Sequence, residues 1–431
     1  MIAFASLFLG LMVGVRPVTV IVGESVAAVE LELDGRALGR RTGAPWTFDV
    51  DFGSEFEPHE LVARAFDDKG TEAALARQWI NLPRPPAEVE IVLERDAQGR
   101  AVAARLAWES ILGVRPNRIS VTFDGRPIAL AEKRAALPAY DPQATHVLTA
   151  VLDYPNGVRS RSDVVLGGGS AGDAKSELTA VPILTEGHEL PRSEALQGQF
   201  LRRGQPVAVA AVERGPAEVV LVRELSSAEA ERALRRGRAL GGVLPILSDG
   251  TLLDRGDHVR ILWPVARRIV DTGTSNELFE TSREFSGKSA AFRFLLTQVE
   301  YPGVGPSPLR LADAVAVAGL RACGSYARRA VVLVLGSEVR DESRYAPGPV
   351  RRYLDRLRVP LFVWSLAANA RRATAAAWGE VEDVSTAPGL DHAVERLRRN
   401  LDRQSIVWLA GRYLPQDIAL APSAEGIELV R

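Results

Sequence analysis

Apolar and polar residues alternate along much of the first 170 positions, as expected of strands with one buried face. VAAVELEL at 26–33 and NRISVTF at 117–123 both show this period and both run into Asp-Gly, at Asp34-Gly35 and Asp124-Gly125. Asp-Gly tolerates positive φ and marks a tight hairpin. The pattern then repeats. LDGRALG at 33–39 returns as FDGRPIA at 123–129, and HELVARAFDDKG at 59–70 returns as HVLTAVLDYPNG at 146–157. Offsets of 90 and 87 residues predict two Ig-like β-sandwiches, at 17–84 and 85–168. His59 and His146 occupy matching places, as do Asp34 and Asp124. A duplicated binding site would produce such a match, and so would mere recurrence of one strand and turn, which is the simpler reading. Trp46, Trp79 and Trp108 are expected to pack in or beside these cores. PRPPAE at 83–88 separates the two units as a stiff joint.

After a Gly- and Ser-rich linker at 169–178 and a β-hairpin lead-in at 179–216, the pattern changes. EVVLV at 218–222, VRILW at 259–263, AVVLVL at 330–335 and PLFVWSL at 360–366 are continuous apolar runs. Such runs suit parallel strands buried on both faces. Between them Leu311, Ala314, Val315 and Ala318 fall at i, i+3, i+4, i+7, as do Val350, Tyr353, Leu354 and Leu357, and Leu390, Ala393, Val394 and Leu397. That is the spacing of amphipathic helices. Strand–helix alternation predicts a doubly wound, Rossmann-like α/β domain over 217–415, followed by a tail at 416–431.

The order of these segments resembles a von Willebrand factor A (VWA) domain, of the bacterial VWA-related group that carries Ig-like companions. The likeness runs through LQGQFLRRGQPVAVAAVERGPAEVVLV (196–222), LLDRGDHVRILWPVA (252–266), LRLADAVAVAGLRA (309–322), RRAVVLVLGSEVRDES (328–343) and VRRYLDRLRVPLFVWSL (350–366). The resemblance implies a metal-ion-dependent adhesion site built from Asp, two Ser, Thr and Asp. The corresponding positions hold Glu224, Ser226, Ala228, Leu309 (with Ser307 nearby) and Gly336 (with Glu338 nearby). About two of the five oxygen donors survive. Mg²⁺ demands near-octahedral oxygen ligands at short distances, so the site is degenerate and no Mg²⁺ or Ca²⁺ cofactor is expected. A looser Ca²⁺ site on Glu224 and Glu338 is the alternative. Without metal, Ser226 and Ser227 would cap the helix that follows them. The resemblance implies protein binding at Ser226, Ser227, Ser307, Ser337 and Glu338, with Glu224 and Ser226 as vestigial metal positions.

Composition narrows the function. The chain has 431 residues, formal net charge -1, and Lys only at 69, 133, 175 and 288, the other basic residues being Arg. Its Arg clusters alternate with Glu and Asp, which reads as solvated helix faces and predicts no nucleic-acid partner. The single Cys323 rules out an intramolecular disulfide, and five histidines without ligand spacing argue against zinc. MIAFASLFLGLMVGV at 1–15 has the length of an export-signal core, with a first core strand as the alternative, and no later segment is long and apolar enough to span a membrane. Gly168-Gly169-Ser170-Ala171-Gly172 fits a nucleophile elbow, yet polar DAKSELTA follows it. SREFSGKSA at 282–290 ends like a phosphate loop but lacks its first Gly and a preceding buried strand. The expectation is a non-enzymatic, extracytoplasmic bacterial protein that binds an unidentified protein. A structural spacer or assembly component of a cell-envelope complex is the alternative, with a hydrolase behind it.

Overall fold

A computed structural model describes residues 2–5, 11–83, 87–96, 99–110, 115–142, 145–154, 159–167, 178–187, 189–224, 253–254, 256–271, 274–287, 291–299, 301, 309–324, 326–336, 341–366 and 377–431. The first unit contains β1 (Ile2–Phe4), β2 (Val15–Val22), β3 (Ala28–Leu33), β4 (Arg36–Arg41), β5 (Thr47–Asp51), β6 (His59–Phe66) and β7 (Glu72–Ile80). They form two antiparallel sheets, ordered β1-β2-β5 and β4-β3-β6-β7. Val18, Val29, Leu31, Val50, Leu61 and Ile80 fill the space between them. Asp34 (φ 54) and Gly35 (φ 78) make the two-residue turn from β3 to β4. Both are left-handed, as a type I′ hairpin requires.

The second unit repeats the arrangement with β8 (Ala87–Arg95), β9 (Ala101–Ser110), β10 (Arg118–Phe123), β11 (Arg126–Ile128), β12 (Leu130–Ala131), β13 (Arg134–Ala136), β14 (Thr145–Asp153) and β15 (Arg159–Gly167). Its sheets run β12-β13-β9-β8 and β11-β10-β14-β15. Asp124 (φ 49) and Gly125 (φ 74) repeat the left-handed turn.

A mixed sheet occupies the C-terminal half. After β16 (Leu178–Thr185), β17 (Phe200–Arg202), β18 (Gln205–Pro206) and β19 (Val209–Glu213) come its strands β20 (Ala217–Arg223), β21 (His258–Asp271), β22 (Thr274–Thr281) and β23 (Phe285–Ser286). Helices α1 (Phe292–Thr297) and α2 (Leu311–Gly324) precede β24 (Arg328–Leu335), and α3 (Pro347–Leu357) precedes β25 (Leu361–Ser365). Then follow β26 (Glu382–Asp383), α4 (Ala387–Arg403), β27 (Gln404–Ala410), β28 (Ile418–Leu420) and β29 (Ile427–Leu429). The sheet order is β22-β21-β20-β24-β25-β26. Neighbours from β21 to β26 are parallel, whereas β22 and β23 run antiparallel to β21. The apolar stripes of α2, α3 and α4 are buried at the spacing read from the sequence.

The doubly wound, Rossmann-like VWA fold expected for 217–415 is corrected. Among the described residues strands far outweigh helix, which is confined to four α-helices and short 3-10 turns. One flank of the mixed sheet is an antiparallel ribbon in which β21 runs for 14 residues. β27, inside the expected domain, leaves this sheet and pairs antiparallel with β16 and β19. Together with β29 it makes a separate sheet, β19-β27-β16-β29, facing β18-β17-β28 over Val181, Ile183, Phe200, Val207, Leu409 and Ile418. The error has a physical source. A continuous apolar run reports burial on both faces and is silent about strand direction and about how the strands are joined.

Two adjacent arginines open the central strand β24, where every residue is buried. Successive side chains of a strand point to opposite faces. Arg328 therefore lies on the face of Ala330, Val332 and Val334, which packs against α1 and α4, and Arg329 on the face of Val331, Leu333 and Leu335, which packs against α2 and α3. Arg329 donates to Cys323 O at 3.1 Å, Leu357 O at 3.3 Å and Arg358 O at 3.2 Å, the C-terminal carbonyls of α2 and α3. Arg328 donates to Leu401 O at 3.0 Å in the last turn of α4, to Gly215 O at 2.7 Å, and to Asp257 Oδ1 at 2.9 Å. Helix C-termini leave carbonyls without intrahelical partners and carry partial negative charge, so a buried guanidinium satisfies both needs. At the other end of the sheet Arg223 donates to Leu295 O and Val299 O, at the end of α1. Arg329→Leu should destabilise the layered half by about 3 kcal/mol, because several buried carbonyls lose their donor at once. Denaturant unfolding followed by tryptophan fluorescence checks this, with Arg36→Ala at an exposed turn expected to shift stability by less than about 0.5 kcal/mol.

Candidate functional site

The carboxyl edge of the parallel strands is where the expected binding residues fall. Ser226, Ser227, Ala228, Ser307, Ser337 and Glu338 lie outside the described residues, as do the Ser170 motif and Lys288. Of the vestigial metal positions, Glu224 is fully buried, and its N–H donates to Val334 O at 3.0 Å. Leu309 bridges Val265 in an isolated pair, and Gly336 is buried where β24 ends. Among the described residues no group of three His, Cys, Asp or Glu is placed to hold a metal ion.

What the described edge does contain is a reciprocal polar lock. Asp341 accepts from Leu311 N at 2.9 Å and from Ala312 N at 3.3 Å, and Ser343 Oγ accepts from Asp313 N at 3.1 Å. These satisfy the free N–H groups that open α2. In return Asp313, inside α2, accepts from Arg344 N at 3.1 Å and Tyr345 N at 3.3 Å, and from Arg310 Nε at 2.7 Å. Helix start and loop 341–346 thus hold each other, and Glu342 and Arg344 stand exposed on the outside. Neither Asp341 nor Asp313 is among the residues that the resemblance singled out. The sequence signal for Asp341 and Ser343 was the Asp-x-Ser spacing itself, which commonly makes such caps.

The paired Asp–His positions of the two N-terminal units form the same brace twice. His59 Nδ1 lies 2.7 Å from Asp34 Oδ2, and His146 Nδ1 lies 2.7 Å from Asp124 Oδ2. The second oxygen of each carboxylate accepts a backbone N–H, from Glu60 and Val147 respectively, both at 2.8 Å. Each Nε2 faces a backbone carbonyl, Phe52 O at 3.3 Å and Asp141 O at 3.0 Å. In the second unit the hydrogen bond to Asp124 raises the His146 pKa above its ordinary value. Burial alone would raise the Asp124 carboxyl, but hydrogen bonds from His146 and Val147 outweigh it and hold it below the ordinary range. The repeat therefore preserves a fastening of the hairpin turn to the neighbouring strand.

A third cluster joins units. Loop 52–58, between β5 and β6, lies against α3. Phe56 is buried beside Tyr345 and Tyr353, with ring centroids 4.1 Å and 5.6 Å away. Glu55 is paired with Arg352 and Arg356, and the hydrogen bond from Arg352 holds its carboxyl below the usual range. Arg356 also donates to Phe56 O at 2.9 Å, Asn81 Nδ2 to Glu57 O at 2.8 Å, and Gln416 Nε2 to Pro58 O at 2.7 Å. Tyr353 donates its hydroxyl to Asn81 O at 2.9 Å. Nothing local in the sequence marks this joint, since its partners lie about 300 residues apart.

No family model matches the chain, and no curated protein matches it. Solved structures give faint likenesses. Fibronectin(III)-like modules of Clostridium thermocellum CbhA are 17% identical over 19% of this chain and 93% of theirs, with a TM-score of 0.17. The central fibronectin-III array of RIM-binding protein is 10% identical, covering 46% of this chain and 81% of its own, with a TM-score of 0.23. A β-glucuronidase from glycoside hydrolase family 2 is 12% identical over 68% of this chain and 36% of its own, with a TM-score of 0.17. Likenesses this weak assign neither family nor activity, and the VWA identification, with the degenerate adhesion site drawn from it, is withdrawn on the strand-dominated architecture.

The brace in the second unit sets a pH dependence with a definite sign. A raised histidine pKa adds stability that is complete below the unfolded value, about 6.5, and is lost as pH rises through the folded value. The lowered Asp124 pKa adds stability that is present above about 3.9 and is lost as pH falls. His146→Gln should therefore destabilise most near pH 5.5 and least near pH 8.5. The effect should stay within about 1 kcal/mol, because Asp124 is partly open to solvent. Thermal melts of both proteins across that range measure it.

Proposed function

We propose that this chain is a non-enzymatic protein that binds another protein, with loop 341–346 at the carboxyl edge of the parallel strands as part of its recognition surface. The observation that carries this reading is the reciprocal lock. Asp313, Asp341 and Ser343 hold backbone N–H groups of the start of α2 and of loop 341–346, so exposed Glu342 and Arg344 are carried on a loop whose shape is already set. A preorganised loop binds with less ordering cost than a mobile one. Binding is proposed to need no Mg²⁺ or Ca²⁺, since Glu224 is turned into the protein and Gly336 offers no side-chain oxygen. No described helix is long and apolar enough to cross a membrane.

A structural spacer is the second reading, and the joint between loop 52–58 and α3 favours it, because it fastens the first unit to the C-terminal half. Capture from an extract of the source cells separates the two. Glu342→Lys combined with Arg344→Glu should abolish capture of a partner by the immobilised chain, leave its thermal transition unchanged, and give the same result with or without EDTA. Equal capture by the variant would contradict the proposal, and loss of wild-type capture in EDTA would restore a role for metal.

A further inference from the structure

In the second sandwich the loop that leads to the paired histidine keeps its aromatic at home. Tyr140 packs beside Phe123 and His146, with ring centroids 5.6 Å and 5.1 Å away, against that unit's own core. Between Tyr140 and His146 the chain reads DPQAT, with neither a second aromatic nor a glutamate. In the first sandwich Phe52 takes the corresponding place, 5.9 Å from the His59 ring and buried in its own core. Between Phe52 and His59 the chain reads GSEFEP, and this second aromatic goes elsewhere. Phe56 is 1% exposed, yet the core it enters is that of α2 and α3, with Val350, Tyr353, Leu354 and Leu357. The second unit closes without such a residue, so Phe56 answers to α3 and not to its own sandwich.

We propose that the face of α3 carrying Arg352, Tyr353 and Arg356, closed by Tyr345, is a recognition site for an acidic protein segment with phenylalanine between two glutamates, and that loop 52–58 is the chain's own occupant of it. A partner bearing such a segment takes the place of the loop. This deepens the protein-binding reading by naming a partner's chemistry, and it rests on that reading in that Tyr345 belongs to loop 341–346.

Each part of the loop is met as a bound peptide is met. Phe56 lies edge-on to Tyr345 at 4.1 Å and beside Tyr353 at 5.6 Å. Arg352 and Arg356 hold Glu55, and Arg356 reaches on to Glu57 at 2.5 Å. Side chains also read the main chain of the loop. Arg356 donates to Phe56 O at 2.9 Å, and Gln416 Nε2 donates to Pro58 O at 2.7 Å. A buried aromatic anchor with charge pairs at its rim is the make-up of a binding hot spot. The ring supplies most of the affinity, and the partly exposed ion pairs select an acidic segment over a neutral or basic one.

The stem of the loop is tied to its own unit instead. Phe52 N donates to Gly14 O at 3.1 Å, and Gly14 N donates to Gly53 O at 2.6 Å. The tip can therefore leave α3 while the sandwich keeps its core. Joined to the same chain, the loop holds the site at high effective concentration, and a free peptide competes poorly until the loop is expelled.

The test uses the full chain and a fluorescent peptide of residues 53–58, followed by anisotropy. Glu55→Lys combined with Glu57→Lys, at two partly exposed carboxylates, should expel the loop by repulsion from Arg352 and Arg356. That chain should bind the peptide about tenfold or more tighter than wild type does. Replacing the phenylalanine of the peptide by alanine should weaken binding about tenfold or more. A chain with Arg352→Glu and Arg356→Glu should ignore the peptide but bind one in which lysine replaces both glutamates. In wild type, which needs no variant to fold, millimolar peptide should speed amide exchange in loop 52–58 and leave β14 and β15 unchanged. Absence of binding to the double-lysine chain would overturn the proposal. So would unaltered exchange in wild type, equal binding of the alanine peptide, or equal binding of the glutamate peptide to both charge forms of α3. Such a failure leaves capture through Glu342 and Arg344 untouched, so the two readings fail separately.

Discussion

The C-terminal half depends on what happens to four unsatisfied carbonyls at the end of each helix. Helices that lie antiparallel to the strands bring their C-termini to the edge where those strands begin, and there water is excluded. Arg328 and Arg329, consecutive on the central strand, reach to opposite faces because a strand alternates its side chains. One guanidinium serves α4 and the other serves α2 and α3 together. The ion pair to Asp257 makes the same point from the carboxylate side. Burial pushes the Asp257 pKa up, although Ala217 N–H and Arg328 oppose the shift. The arginine is thus held as much by carbonyls and helix ends as by its counter-ion. Cys323, whose carbonyl is one of those acceptors, has its thiol pushed up by burial, which is the state of an inert packing residue.

The same economy governs the joints between units. The small sheet made by β16, β19, β27 and β29 draws its strands from both ends of the C-terminal half, with Thr179 and Gly411 linked across 232 residues. It touches both sandwiches. Arg412 lies over the Trp79 ring at 4.7 Å, and Arg161 lies over Trp408 at 5.0 Å. The first sandwich meets this sheet through Trp79 and meets α3 through loop 52–58, so its position is fixed from two directions. A surface loop such as 341–346 is then carried on a frame whose parts brace one another.

Sequence reading reached the features whose causes are local. Asp34-Gly35 and Asp124-Gly125 were legible because a two-residue hairpin needs positive φ at both positions. The helix stripes were legible because burial imposes a period. The apolar runs revealed burial but not connection, so the direction of β22 and the departure of β27 to another sheet were invisible. The arginines were misread for a related reason. Clusters such as Arg398–Arg399 on α4 lie at the surface, and only their place at the head of RRAVVLVL, with no acidic residue in the run, distinguishes Arg328 and Arg329. Loop 52–58 was out of reach altogether, because its meaning lies in residues of α3 and in Gln416. Of the vestigial metal positions Glu224 is buried, and the lock that shapes the described edge uses Asp313, Asp341 and Ser343 instead.

The central claim is that a single buried guanidinium, Arg329, holds two helix ends and, through α3, the docking of the first unit. Peptide-resolved hydrogen exchange of wild type and Arg329→Met tests it directly. Faster exchange is predicted in the last turns of α2 and α3 and in loop 52–58, with β10, β14 and β15 unchanged. Unaltered exchange at those helix ends, or an equal increase throughout the chain, would contradict the account.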